Sequence, residues 1–234
     1  MVGTVSWGVR GGALFVATVL LAGCGRVTIG AARPLSAGGV AQLVPVADLL
    51  IEPDRFPARY PAGVLHGADV RRALQDIDGI PSGSVVTPAT CAPEPLASEH
   101  TAVAQGINTD TFSVLLVTVT RPAPPLSARI DQLRACPSFT VGQGVDAPPQ
   151  AGGAPTTVAV SMLPAPPVDA DDGCAIDQTV TTPDFVRRTL TFVAQIEDTR
   201  ITSTWLHDGA PVDPDTASLD ALFSDAVLKV RRGG

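Results

Sequence analysis

Thr189-Leu190-Thr191-Phe192-Val193-Ala194-Gln195-Ile196-Glu197-Asp198-Thr199-Arg200-Ile201-Thr202-Ser203-Thr204-Trp205-Leu206 reads as two strands and a turn. Leu190, Phe192, Ala194 and Ile196 recur every second residue and share one face. Ile201 and Trp205 do the same on the return. With the turn centred on Asp198-Thr199, Ile196 stands opposite Ile201, Phe192 opposite Trp205 and Glu197 opposite Arg200. Apolar partners then meet on one side and opposite charges on the other, which cross-strand pairing favours. Asp-Thr is a poor two-residue turn, so a wider loop in the same register is compatible too. The second face of this hairpin carries Thr191, Gln195, Thr202 and Thr204.

Strand signals recur upstream. Phe112 to Thr120 is β-branched and apolar on both faces, as a central strand covered on two sides should be. Shorter strands are expected at 84–87, 102–105 and 139–141, and an alternating one at 156–163 with Val158, Val160 and Met162 on one face. A single helical turn is expected at 48–51, stopped by Pro53. Val70, Ala73, Leu74 and Ile77 form a helical stripe over about 68–77, with Asp69 as N-cap and Gly79 as stop. Ser127 is placed to cap a helix running to about Ala135, with Leu126, Ile130 and Leu133 inward. The best helix lies at about 217–231, where Leu219, Leu222, Phe223, Ala226, Val227 and Val230 make one stripe. Residues 142–155 read as a Gly/Pro loop. Strands in runs, with helices around them, predict an α+β domain with a mostly antiparallel sheet and flanking helices.

The N-terminus has a different character. Arg10 precedes an apolar run from Ala13 to Leu21, and Leu21-Ala22-Gly23-Cys24 closes it. That is the layout of a secretory signal, and the tetrapeptide resembles the lipobox of bacterial lipoproteins. The resemblance implies that Cys24 carries a diacylglycerol and becomes the first residue after cleavage. Two acyl chains hold a protein on a membrane where one does so only marginally. The expected organisation is a signal over 1–23, a lipidated Cys and flexible tether over 24–45, and one α+β domain over 46–234. The protein is then expected at the cell membrane, lipid-anchored on the extracytoplasmic side.

After removal of the signal, 15 basic residues face 23 acidic ones, a net charge of −8. A chain this acidic, with no basic run longer than two before its C-terminus, is a poor nucleic-acid binder. Its membrane partner is reached through the lipid on Cys24. Cys91, Cys136 and Cys174 remain, and three cysteines outside the cytoplasm allow three single pairings and strand one.

No chemistry stands out. There is no Gly-x-Ser-x-Gly elbow, and His66, His100 and His207 are isolated. Asp169-Ala170-Asp171-Asp172-Gly173 has the acids of a calcium loop in the wrong places and Val180 where a bidentate Glu belongs. It reads as a solvated acidic turn. Asp213-Pro214-Asp215 lies where acids cap the last helix. No catalytic residue, metal ligand or cofactor is expected.

Four landmarks carry a family resemblance: Asp54-Arg55-Phe56-Pro57 after Leu49-Leu50, Asp78-Gly79-Ile80-Pro81-Ser82-Gly83, Cys91-Ala92-Pro93, and Leu115 through Cys136-Pro137-Ser138-Phe139. Together they resemble a family of mycobacterial and related actinobacterial envelope lipoproteins whose domain has no assigned function. More distantly, the plan is similar to the extracellular sensor domain of PknH-type kinases. The resemblance implies an antiparallel sheet with flanking helices around a ligand cleft, and a Cys91–Cys136 disulfide worth roughly 3–4 kcal/mol on the loop-entropy model. It leaves Cys174 without an assigned partner. The function it implies is non-catalytic sensing of a small envelope ligand. Helices that cover only part of a sheet leave a groove, and the hairpin face carrying Thr191, Gln195, Thr202 and Thr204 is the expected binding face. A carrier of a lipid or cell-wall component, and a structural protein with an envelope protein partner, are the alternatives. An apolar cleft would favour the carrier, and a threonine-lined one the polar-ligand sensor.

Overall fold

Residues 44–142 and 155–233 are described by the structure, a computed structural model. Cys24, the signal, the tether before Val44 and most of the Gly/Pro loop therefore lie outside the described residues. Nine strands form one sheet: β1 (Ala62–Val64), β2 (Val85–Thr87), β3 (Thr101–Ile107), β4 (Val114–Thr120), β5 (Ser138–Gly142), β6 (Thr156–Leu163), β7 (Asp172–Thr181), β8 (Val186–Ile196) and β9 (Thr199–Asp208). Their order is β1-β3-β4-β9-β8-β7-β6-β5-β2, and every neighbouring pair is antiparallel. Four helices flank it: α1 (Val46–Leu49), α2 (Ala68–Asp78), α3 (Leu126–Ala135) and α4 (Thr216–Gly233). The class is α+β, as the strand and helix pattern predicts.

The two faces of the sheet are filled differently. On one, α4 buries the whole predicted stripe against Leu115, Val117, Leu190, Ala194, Ile201 and Trp205. Phe223 meets Phe192 edge-on, with ring centroids 5.7 Å apart. Asp215 caps this helix: its Oδ1 accepts the Ser218 N–H at 3.2 Å while Arg59 pairs with the same carboxylate. On the other face, α2 sets Val70 and Ala73 against Val103 and Leu116. Farther along that face, α3 sets Leu126 and Ile130 against Cys174 and Val193. Leu133 joins a further cluster with Phe139, Val141 and Val158. That cluster also holds Cys91 and Cys136, which form a disulfide.

The hairpin register differs from the expected one. Ile196 stands opposite Thr199, Ala194 opposite Ile201 and Leu190 opposite Trp205. One strand has moved by two residues, so every side chain keeps its face while its partner changes. The turn is Glu197-Asp198, with Glu197 at φ 53°. A distant contact fixes it there: Asp171 Oδ2 accepts the Glu197 N–H at 2.7 Å. Arg231, at the end of α4, holds Asp171 in turn at 3.0 Å. Consequently Arg200 faces Gln195, not Glu197. The acidic stretch read as a solvated turn leads straight into β7, a strand between β6 and β8. Two helix starts also differ. Gly67 rather than Asp69 holds the N-cap position of α2, and Pro125 rather than Ser127 that of α3.

Candidate functional site

Between α2 and α3, the sheet presents polar residues where a core would place apolar ones. Thr189 and Thr191 of β8, Arg200 and Thr202 of β9 and Gln178 of β7 floor a cavity of about 70 Å³. Asp78 enters from the end of α2, Arg129 from the middle of α3, and Leu96 from the segment after Cys91. A larger groove of about 490 Å³ adjoins it, sharing Asp78, Leu96, Arg129 and Arg200 as walls. Glu94, exposed, stands in that outer groove.

Backbone geometry places Asp78. The helix ends at Gly79, at φ 69°, a left-handed conformation that glycine adopts without strain. A Cβ there would lie 2.6 Å from Val180 Cγ2 and 2.9 Å from Gln178 Nε2. The close approach lets Gln178 Nε2 donate to the Ile77 carbonyl at 3.3 Å, which ties the end of α2 to β7. Arg129 Nη2 lies 3.6 Å from Asp78 Oδ1, and its Nη1 donates to Gln132 Oε1 at 2.6 Å. Gln132 Nε2 donates to the carbonyls of Thr90 and Ala92, at 2.9 and 2.6 Å. One glutamine thus orients Arg129 and fastens the segment that walls the groove. The Cys91–Cys136 bridge fastens the same segment to the end of α3.

Arg200 is the most confined charge. It is 8 % exposed. Its Nη2 donates to the Pro124 carbonyl and, at 3.4 Å, to Gln195 Oε1. No acceptor meets its Nε, and none meets the Thr189 hydroxyl, among the described residues. Burial lowers the guanidinium pKa of Arg200, and the nearby Arg129 lowers it further. Burial also lowers that of Arg129, against the pull of Asp78.

The four residues expected on the binding face separate into two pairs. Thr191 and Thr202 line the cavity. Thr204 is fully buried and shares a 3.0 Å hydroxyl contact with Thr191. Gln195 Nε2 donates within its own hairpin to the Glu197 carbonyl at 3.0 Å. None of the four stands on a water-exposed surface. Local sequence pattern does not mark Asp78, Arg129, Gln178 or Arg200 as site residues: Asp78 stands in a landmark segment, and the expected hairpin register pairs Arg200 with Glu197. Cys174, buried nearby, has its thiol pushed up to about 11 by burial, which removes the thiolate that a nucleophile needs.

Asp78 gives a pH signature. Burial raises its carboxyl above the ordinary 3.8, against the pull of Arg129 and Arg200. The folded state therefore holds this proton more tightly than the unfolded chain does. Stability from the neutral carboxyl is full below 3.8 and is lost as pH rises through the raised folded value. Urea unfolding at a series of pH values should show this loss in the native chain and not in Asp78→Asn. Equal slopes in the two would mean that Asp78 titrates like an exposed acid.

No family model matches the chain, and no curated protein does. Solved structures similar to it include the following two. One is an uncharacterised protein of Mycobacterium smegmatis, the Rv0999 ortholog, at 16% identity over 80% of this chain and 96% of that one, with a TM-score of 0.48. The other is the extracellular domain of PknH from Mycobacterium tuberculosis, at 12% identity over 77% of this chain and 98% of that one, with a TM-score of 0.40. The second is a member of the kinase group that the sequence landmarks distantly resemble.

Proposed function

We propose that this chain is a lipid-anchored extracytoplasmic protein whose domain binds a small polar envelope molecule and does not transform it. The observation that carries the reading is the cavity between α2 and α3, floored by threonines and a buried arginine. A polar group taken out of water costs free energy unless it is paired. Arg200, 8 % exposed and without a carboxylate partner among the described residues, is the charged group of this floor that an occupant would meet. Walls of Ile77, Leu126 and Val193 supply apolar contact, while the polar floor supplies orientation.

The cavity favours a polar ligand over an acyl chain. Its floor of Thr189, Thr191, Thr202, Gln178 and Arg200 would set an acyl chain against polar groups. The anchor reading rests on Leu21-Ala22-Gly23-Cys24, and the extracytoplasmic placement is supported by the disulfide, since thiols pair outside the cytoplasm. An envelope protein partner would pass on the bound state.

Two measurements test this. Cys24→Ser should move the protein from the membrane fraction to the soluble fraction; retention would place the anchor elsewhere. Thermal-shift screening of the full chain in detergent against envelope sugars, peptidoglycan fragments and lipid headgroups should find a stabilising compound. At about 100 times its dissociation constant, such a ligand adds about 2.7 kcal/mol. Steady turnover of any of these compounds, lost on one polar substitution, would make the protein an enzyme instead.

A further inference from the structure

We propose that the cavity selects a small organic monoanion, a carboxylate whose oxygens meet the guanidinium of Arg200 and that of Arg129. The inference rests on the binding reading above and adds the charge of the ligand.

Charge balance leads to it. Three charged side chains wall the cavity: Arg129, Arg200 and Asp78. Within the cavity two positive charges face one negative, with Glu94 a more distant negative charge in the outer groove. Arg129 has Asp78 at 3.6 Å, whereas no carboxylate lies within ion-pair distance of Arg200 among the described residues. Arg200 is also more than nine-tenths buried, and its Nε has no acceptor. An unbalanced guanidinium in such a place is among the costliest features a fold can keep. A carboxylate offers two oxygens, one to each of the two guanidinium groups, and brings a single negative charge. A phosphate dianion would press its second charge on Asp78.

The neighbours set the rest of the ligand. Asp78 and, farther out, Glu94 accept hydrogen bonds. Hydroxyl or amino donors next to the carboxylate therefore suit the outer groove. Thr202 and Thr191 stand on the floor beside Arg200. Leu96 adds apolar contact on the side of the segment held by Gln132.

The test is a titration of the full chain in detergent, followed through the arginine Nε–H resonances. The probes are lactate, its neutral amide lactamide, and inorganic phosphate. Lactate should shift the Arg200 and Arg129 signals at millimolar concentration, and lactamide should bind at least tenfold more weakly. Arg200→Met should abolish the lactate response while making the empty protein more resistant to heat, because an unbalanced buried charge is gone. Arg200→Lys keeps the charge without the fork, and should retain the fold and bind lactate more weakly. Equal shifts with lactate and lactamide, shifts with phosphate alone, or no shift with lactate would each overturn the carboxylate assignment. The wider binding reading would still stand in those cases if a neutral envelope fragment stabilised the chain. It would fall only if no compound did.

Discussion

Phe223→Ala lowers the unfolding free energy by about 3–5 kcal/mol, the cost of emptying a well-packed aromatic site. Phe223 is 1 % exposed, in the middle of the α4 stripe, and its ring edge meets Phe192 on β8. No neighbouring side chain can fill the void without leaving its own packed position, because Leu222, Val227 and Trp205 are equally buried. For a domain of this size each kcal/mol moves Tm by roughly 2–4 °C. Urea unfolding measures the loss directly. The variant should keep its lactate response, because α4 covers the face opposite the cavity. A loss under 1 kcal/mol would mean that α4 is not the principal cover of that face.

Removing the Cys91–Cys136 bridge, by Cys91→Ala with Cys136→Ala, lowers stability by roughly 3–4 kcal/mol through the freed loop of the unfolded chain. A second consequence is local. The bridge holds the start of the segment carrying Glu94 and Leu96, which walls the groove. With the bridge gone, that segment keeps the two hydrogen bonds from Gln132 as its tie to α3. Hydrogen exchange in residues 92–97 should therefore speed up by more than global unfolding requires. Unchanged exchange there, with stability lowered, would confine the bridge to an effect on the unfolded state.

Much of the fold was legible because it repeats with a simple period. The α4 stripe, the faces of the β8–β9 hairpin and the apolar run of β4 all follow from side-chain spacing. What spacing could not supply came from contacts distant in sequence. The hairpin turn is set by Asp171, and shifting it by two residues leaves the alternation unchanged. β7 carries Asp177 and Gln178 within it and is a strand because β6 and β8 flank it, which no local pattern records.

The site was half legible for the same reason. Alternation marked Thr191 and Thr202 as facing away from the α4 side, and they line the cavity. It marked Thr204 and Gln195 with them, although one is paired to Thr191 and the other to its own turn. Asp78, Arg129 and Arg200 belong to a helix end, a helix middle and a strand, and only the assembled sheet brings them together.

The most direct test of the binding reading is native mass spectrometry of the full-length protein, extracted gently from its own membrane. The expected result, beyond the mass of the lipid-modified chain, is a small molecule bound in a one-to-one ratio, released on unfolding and absent from Arg200→Met. A chain with no such mass, or an adduct that Arg200→Met retains, would contradict it.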